Sequence, residues 1–490
     1  MKKNILICLA LLLAVSTLFV SCANTNTPAV TTSAPQGSES AAAPEATTGS
    51  EAFAVPGDLK FNDSTFNILC TAWMDNGINP FVYAEDSALV MDDAIYRRNA
   101  KVEDTYGVSL TTTDFFKNGA SGASYLTKNR AAGDAAYDGA LMGVFDTSAL
   151  AYQGYFLDLQ KAPYVTLKNS WWDQNATADT SIYGQTFYTT GDISYADKEY
   201  TFGVIFNKTI HAEKKLEDVY KLSREGKWTI DVLADMCKTV SEDLDGDDKL
   251  TSADKYGMIV WDAMMTAMIN ASGNTIAAIK DDQLTLTLNN EQTVSVVEKF
   301  ISLCQDQSVI NFQHMDKGKT WPEMFESSQS LFLLEYLKAL PLFRDGDLEY
   351  GILPMPKLTE DQDRYYCGLA GYQATMYAIP ADCADEEKSG AITEALAYYS
   401  KEIVTPAYYE KTLKGKNVQD PDSAETLDII FANRIYDLGL FYRVGQMSTQ
   451  VGKLLANKST DFASMYASYE QATQKDIDRI NSFFESARDN

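Results

Sequence analysis

The stretch that decides the fold is residues 86–113, DSALVMDDAIYRRNAKVEDTYGVSLTTT. Val90, Ala94, Ile95, Val102 and Tyr106 recur at the spacing of one helical face, and Gly107 supplies a stop. Residues 108–113 then turn β-prone. Just upstream, TFNILCTAW (65–73) is apolar, β-prone and preceded by turn residues, which predicts a strand. Downstream, a weaker helix over 124–132 leads to a third strand, YDGALMGV (137–144). This alternation predicts a parallel, doubly wound sheet. Ligands of such sheets gather beyond the carboxyl ends of the strands. Those ends carry Trp73 and Asp75, then Asp114, then Phe145 and Asp146.

A second run follows the same grammar. Residues 201–207, 256–261 and 330–335 read as strands, and 229–240 and 294–304 as helices. Two of these strands end at Trp261 with Asp262 and at Glu335 with Tyr336. The foldable part, residues 58–490, is too long for one compact core, so the α/β pattern predicts two lobes. The net charge of −27 makes nucleic acid a poor partner, because phosphate binding needs a basic face. That charge is read as a solubility device.

The chain opens MKKNILICLALLLAVSTLFVSC. Lys2 and Lys3 precede an apolar run over 5–20 that is short for a membrane span, the pattern of an export signal. Phe19-Val20-Ser21-Cys22 resembles a bacterial lipobox, with Phe19 where Leu is usual. The resemblance implies cleavage after residue 21 and a diacylglycerol on Cys22. An ordinary secretory signal and an uncleaved anchor share the first features. Residues 22–57 are rich in Ser, Thr, Ala and Pro and predict a disordered tether. Acyl chains at Cys22 would hold the protein on the outer face of the cell membrane. The five cysteines beyond position 22 show no close pairing of the CxxC kind, which argues against zinc. One disulfide among them would leave an odd thiol.

No nucleophile elbow, HExxH, P-loop or GxGxxG is present, and the two histidines, His211 and His314, lie in no motif and read as surface residues. No catalytic residue and no organic cofactor are expected. Paired carboxylates for glycoside hydrolysis stay open, because their pairing is spatial. The aromatic supply is more telling, with 6 Trp and 28 Tyr. Aromatic faces stack on sugar rings, and carboxylates accept sugar hydroxyls. Trp73 and Trp261 end strands in different lobes, whereas Trp171, Trp172 and Trp228 read as packing residues.

Residues 243–254, DLDGDDKLTSAD, carry the ligand rhythm of a calcium loop. The ligands would be Asp243, Asp245, Asp247, the Lys249 carbonyl, Thr251 and Asp254. Position 6 is Asp248 where glycine is usual, and Gly at position 4 resembles dockerin-type loops. A solvated acidic turn is the competing account. No nucleophile or base lies near, so calcium would be a structural clip.

Several segments, in shared order, resemble bacterial extracellular solute-binding lipoproteins of ABC importers, of the family 1 type that includes sugar and oligosaccharide binders. They are DDAIYRRNAKVEDTYGV (92–108), WWDQNATADTSIYGQTFYTTGDIS (171–194) and YTFGVIFNKTI (200–210), followed by EGKWTIDVLADMCKTVSEDLDGDDKLTSADKYGM (225–258). YGILPMPK (350–357), GLAGYQATMYAIP (368–380) and AETLDIIFANRIYDLG (424–439) complete the set. The resemblance implies a type II periplasmic-binding-protein fold, two α/β lobes with doubly wound sheets joined by a hinge, with ligand in the cleft. It implies crossings near 192–201, 371–379 and 405–414. Lobe 1 would comprise 58–192 and 372–410, and lobe 2 193–371 and 411–490. The expected ligand contacts are Trp73, Asp75, Asp146, Tyr195, Trp261, Glu335 and Tyr372, Tyr195 and Tyr372 being chosen for their place near crossings. The expected role is capture of a solute, a carbohydrate or oligosaccharide, for delivery to an ABC permease. A peptide or other organic solute, an extracellular glycoside hydrolase and a glycan-adhesion lipoprotein are the alternatives.

Overall fold

Parallel pairing places strand β1 (Ser64–Cys70) between β2 (Val108–Asp114) and β3 (Gly139–Gly143). The computed structural model describes residues 52–72, 78–84, 89–115, 121–343, 346–413 and 420–488. Cys22 with the signal and most of the tether, and the expected contacts Trp73 and Asp75, lie outside them. Alternate residues of β1 face opposite layers, as the two-residue period of a strand requires. Phe66, Ile68 and Cys70 join one core, with Val102 and Tyr106 of the helix Val90–Tyr106 and Ala391 and Ala395 of the helix Glu386–Tyr399. Leu69 joins the core on the other face. Both faces of the sheet are therefore covered, which explains why β3 is buried along its whole length. The helix Val90–Tyr106 stops where Gly107 turns left-handed at φ 62° and its N–H closes on the Glu103 carbonyl.

The second sheet is built from β4 (Phe202–Asn207), β5 (Tyr256–Val260), β8 (Val309–Asn311), β9 (Ser330–Tyr336) and β10 (Tyr350–Leu353), in the order β10-β4-β9-β5-β8. A hairpin of β6 (Ala277–Lys280) and β7 (Gln283–Leu286) stands apart from it. β5 runs parallel to both neighbours, whereas β4 is antiparallel to β9 and β10. A short pair, β11 (Cys367–Gly368) and β13 (Arg434–Ile435), adjoins. β12 (Thr375–Ala378) then returns to the first sheet, antiparallel to β3.

The chain thus passes between the sheets three times, and the passages are tied together. The Ala370 N–H donates to the Tyr200 carbonyl (2.9 Å), and Thr201 bridges Leu369, so the first two passages run side by side. The third, through the π-helical turn Ser400–Val404 and the helix Thr405–Leu413, is tied to the first where the Thr405 hydroxyl donates to Asp192 (2.7 Å).

Trp171 and Trp172 are buried, and both indole N–H groups donate to Glu394 (3.0 and 2.8 Å), while the Trp228 indole donates to the Pro354 carbonyl (2.9 Å). All three are packing residues, as their sequence context suggested. Cys70, Cys237, Cys304, Cys367 and Cys383 are free thiols, and all but Cys383 are buried.

β5 carries Trp261 at its end, so its seating on the helix Ile230–Lys238 sets where that ring stands. The seat is Gly257. A Cβ there would lie 2.4 Å from the Cys237 Cα and carbonyl oxygen, and backbone cannot step aside as a side-chain tip can. Gly257→Ala is expected to destabilise the fold by about 1–3 kcal/mol through overpacking, read as a lower midpoint in chemical denaturation with an unchanged slope.

Candidate functional site

Strand ends of the second sheet converge on an aromatic cluster. Trp261 follows β5, Phe312 follows β8, Tyr336 ends β9, and Phe202 opens the antiparallel β4 at the same edge. Ring centroids of Phe202, Phe312 and Tyr336 lie 6.1, 6.1 and 6.4 Å from that of Trp261, with the Phe312 ring inclined by only 29°. These neighbours hold the Trp261 ring in one orientation. Its indole Nε1 is buried and has no hydrogen-bond partner.

The ring borders a cavity of about 500 Å³. Asp262, Ala263 and Thr266 continue the wall from Trp261, Gln313 comes from the loop after β8, and Tyr372 and Gln373 come from the second passage. Ser448, Thr449, Gly452 and Lys453, from the helix Met447–Ala456, close the far side. A void of about 20 Å³ adjoins it and shares Trp261 and Tyr372. Tyr372 is 42% exposed, and its ring meets Phe145 edge to face at 5.2 Å. Phe145 lies in the first turn of the helix Val144–Ala151, directly after β3. Tyr372 therefore touches the first sheet's structure while lining a cavity built on the second.

Gln373 is 8% exposed, and its Oε1, like Trp261 Nε1, is buried without a partner. One orphan is a donor and the other an acceptor. Leaving either unmade costs about 1–3 kcal/mol. Asp262 is engaged from outside the cavity: Asn311 Nδ2 donates to Oδ1 (2.8 Å), and His314 Nε2 lies 2.9 and 3.0 Å from the two oxygens. The Asp262 N–H donates to Gln313 Oε1 (3.0 Å).

Of the expected contacts, the fold brings Trp261 and Tyr372 together in this cavity. Asp146 lies next to Phe145, buried, and its Oδ2 accepts the Gly122 N–H (2.8 Å) at the start of the helix Gly122–Ala132. Tyr195 stacks on Tyr408 at 5.6 Å beside the first passage, and burial pushes its hydroxyl up. Glu335 is 2% exposed and accepts the Tyr336 N–H (3.0 Å). Burial pushes its carboxyl up to about 8. None of these three lines the cavity. Sequence reasoning passed over Gln373, although it adjoins Tyr372. It also passed over Thr266, Ser448 and Lys453, for which no local signal exists.

The acidic loop lies between the helix Ile230–Lys238 and β5, and a Glu242–Lys255 bridge closes its base. Carboxylate oxygens of Asp243, Asp245 and Asp247 come within 4.8 Å of one another. Gly246 and Asp248 take φ values of 73° and 63°, so Asp248 adopts the left-handed conformation a metal loop needs there. Asp254 is buried and braces the loop from within, accepting the N–H groups of Leu244 and Thr251 (2.8 and 2.7 Å). Asp245 is exposed, but desolvation by the loop and the neighbouring carboxylates, opposed by the Asp247 N–H, push its carboxyl up, and a cation would relieve that field.

No family profile matches the sequence, and no curated protein does. Solved structures of the same fold are many. The galacto-N-biose-/lacto-N-biose I-binding protein of a Bifidobacterium longum ABC transporter, in complex with lacto-N-biose, superposes with a TM-score of 0.57 at 11% identity, over 86% of this chain and 98% of that one. The ABC substrate-binding protein Lmo0181 from Listeria monocytogenes, in complex with cycloalternan, gives 0.53 at 14% identity over 86% and 99%. A family 1 extracellular solute-binding protein from Bifidobacterium longum subsp. infantis gives 0.53 at 13% identity over 87% and 100%. The chain has the fold of the two-lobe solute-binding proteins of ABC importers.

Glu335 sits one residue from the aromatic cluster and carries a pH signature. Its proton is held more tightly in the folded state than in the unfolded one. The stability it contributes is therefore present at acid pH and is lost as pH rises from the ordinary carboxylate range through about 8. Melting temperature should fall across that window in the natural protein and fall less in Glu335→Gln, which keeps the shape without the titration.

Proposed function

We propose that this chain captures a carbohydrate, in particular an oligosaccharide, outside the cell and delivers it to an ABC permease, closing two lobes around it. The observation that carries the reading is one cavity of about 500 Å³ whose wall combines the Trp261 and Tyr372 rings, the Asp262 carboxylate and the polar residues Gln313, Gln373 and Ser448. Sugar hydroxyls both donate and accept, which suits the polar part of this lining, while an apolar ring face suits the Trp261 ring. Ligands reported in the structures of similar fold, lacto-N-biose and cycloalternan, are of that chemistry. Since Tyr372 and Gln373 belong to the passage between sheets, a ligand held there has different contacts in the open and closed forms, which is what shifts such an equilibrium. A glycoside hydrolase needs two carboxylates flanking the bond, and among the described residues of this wall Asp262 is the one carboxylate. That favours capture without turnover.

Calorimetric titration with a panel of maltodextrins, lacto-N-biose and cycloalternan tests this. Binding without product is the expected result. Trp261→Ala and Gln373→Ala should each weaken it by about 1–2 kcal/mol, roughly 5- to 30-fold. Hydrolysis of any panel member, or binding of none, would sink the reading.

The lipobox-like Ser21-Cys22 junction supports export and diacylglyceryl anchoring at Cys22, which would hold the protein on the outer face of the membrane. The Asp243, Asp245 and Asp247 cluster supports a calcium ion as a structural clip. The Lys249 carbonyl, Thr251 and Asp254 complete the proposed set. Calcium should raise the melting temperature, and Asp245→Asn should abolish the rise. An unchanged midpoint at millimolar calcium would dismiss the ion.

A further inference from the structure

Resting on the capture reading, one residue outside the cavity stands out. The carboxylate of Asp262 is gripped by the end of β8 and the loop that follows it. Oδ1 receives both Asn311 Nδ2 (2.8 Å) and His314 Nε2 (2.9 Å), which fills its acceptor capacity. Oδ2 shares only His314 Nε2, at 3.0 Å, and keeps capacity to accept another hydrogen bond. A ring nitrogen facing two carboxylate oxygens must carry its proton, which assigns the tautomer. Gln313, between these two residues, accepts the Asp262 N–H and lines the cavity itself. Contacts from the end of β8 and the loop after it thus set the position of one wall residue and its carboxylate. On the cavity's other flank Gly452 abuts the Asp262 backbone, a Cβ there lying 3.4 Å from its carbonyl oxygen.

The pair is partly exposed, 48% for the His314 side chain and 30% for that of Asp262. Pairs so exposed are worth about 0–1 kcal/mol to a fold. Stability is therefore a poor reason for the arrangement, and orientation a better one. We infer that His314 is a positioning residue for ligand capture, holding Asp262 so that its free Oδ2 capacity accepts a hydroxyl of the bound glycan. His314 is a surface residue, as the sequence suggested, and from that position its ring meets a carboxylate of the cavity wall.

The test is calorimetric affinity for maltotetraose and lacto-N-biose in the full chain, with melting temperature as a control on folding. His314→Ala should weaken binding about 5- to 10-fold, and His314→Gln, whose amide N–H reaches the same oxygens, should restore it to within about twofold. On an Asp262→Ala background, His314→Ala should add no further loss, because the two act as one unit. The inference is overturned by full affinity in His314→Ala, or by an equal loss on both backgrounds. A natural chain that binds neither probe overturns the capture reading and this inference with it. That outcome is distinguishable, because it appears before any variant is compared.

Discussion

The side-by-side course of the first two passages between the sheets is the constraint on which the rest of the molecule depends. One backbone hydrogen bond, Ala370 to Tyr200, and the Thr201–Leu369 bridge align them. Around them sits a set of buried charges. Arg434 pairs with Asp173 and lies 3.3 Å from Asp197, and Lys198 lies 3.5 and 3.7 Å from Asp192 and Asp197. Burial opposes the charge on Asp173, yet the Arg434 guanidinium more than offsets it and holds that carboxyl below its usual range. Buried ion pairs seldom stabilise a fold relative to apolar packing, and their well-attested use is to specify one arrangement. Here Asp192, Asp197 and Lys198 of the first passage meet Asp173 and Arg434 from distant parts of the chain, so the charges come together only when those segments are correctly juxtaposed.

That arrangement makes the site. The second passage runs from Leu369 through Tyr372 and Gln373 directly into β12, whose register against β3 is set by Thr375 opposite Gly143. Fixing β12 fixes where Gln373 stands relative to Trp261, although more than a hundred residues separate them in the chain. Gly371 is needed for the approach, since a Cβ would lie 3.1 Å from both the Phe145 ring and Leu440. The hinge and the cavity wall are therefore the same piece of chain. Bending the one must reshape the other, which is the coupling that capture by closure requires.

The energetics are those of an unfinished interior. The aromatic cluster around Trp261 is packed like a core, and yet it keeps a buried donor unpaired, with an unpaired acceptor across the same cavity. Natural interiors tolerate few such groups.

Much of the architecture was legible in the sequence because it rests on local periodicity. The helix over Val90–Tyr106 with its Gly107 stop, the strands β1 to β5 and β9, and the capped helices Ile230–Lys238 and Glu291–Gln305 all follow from spacing and from their end residues. Trp261 was legible as a strand end, and strand ends are where α/β sheets hold ligands. The burial of Glu335 and the diversion of Asp146 to the Gly122 N–H were not legible, because which face a residue takes and who meets it depend on partners distant in the chain. Nor were Gln373, the far wall from the helix Met447–Ala456, or His314 behind Asp262. By itself the sequence determined the elements and the strand-end ring, through propensities that act over a few residues. Only the tertiary structure decided which residues line the cavity and which buried polar atoms stay unpaired, because both are settled by contacts between segments that local periodicity never sees.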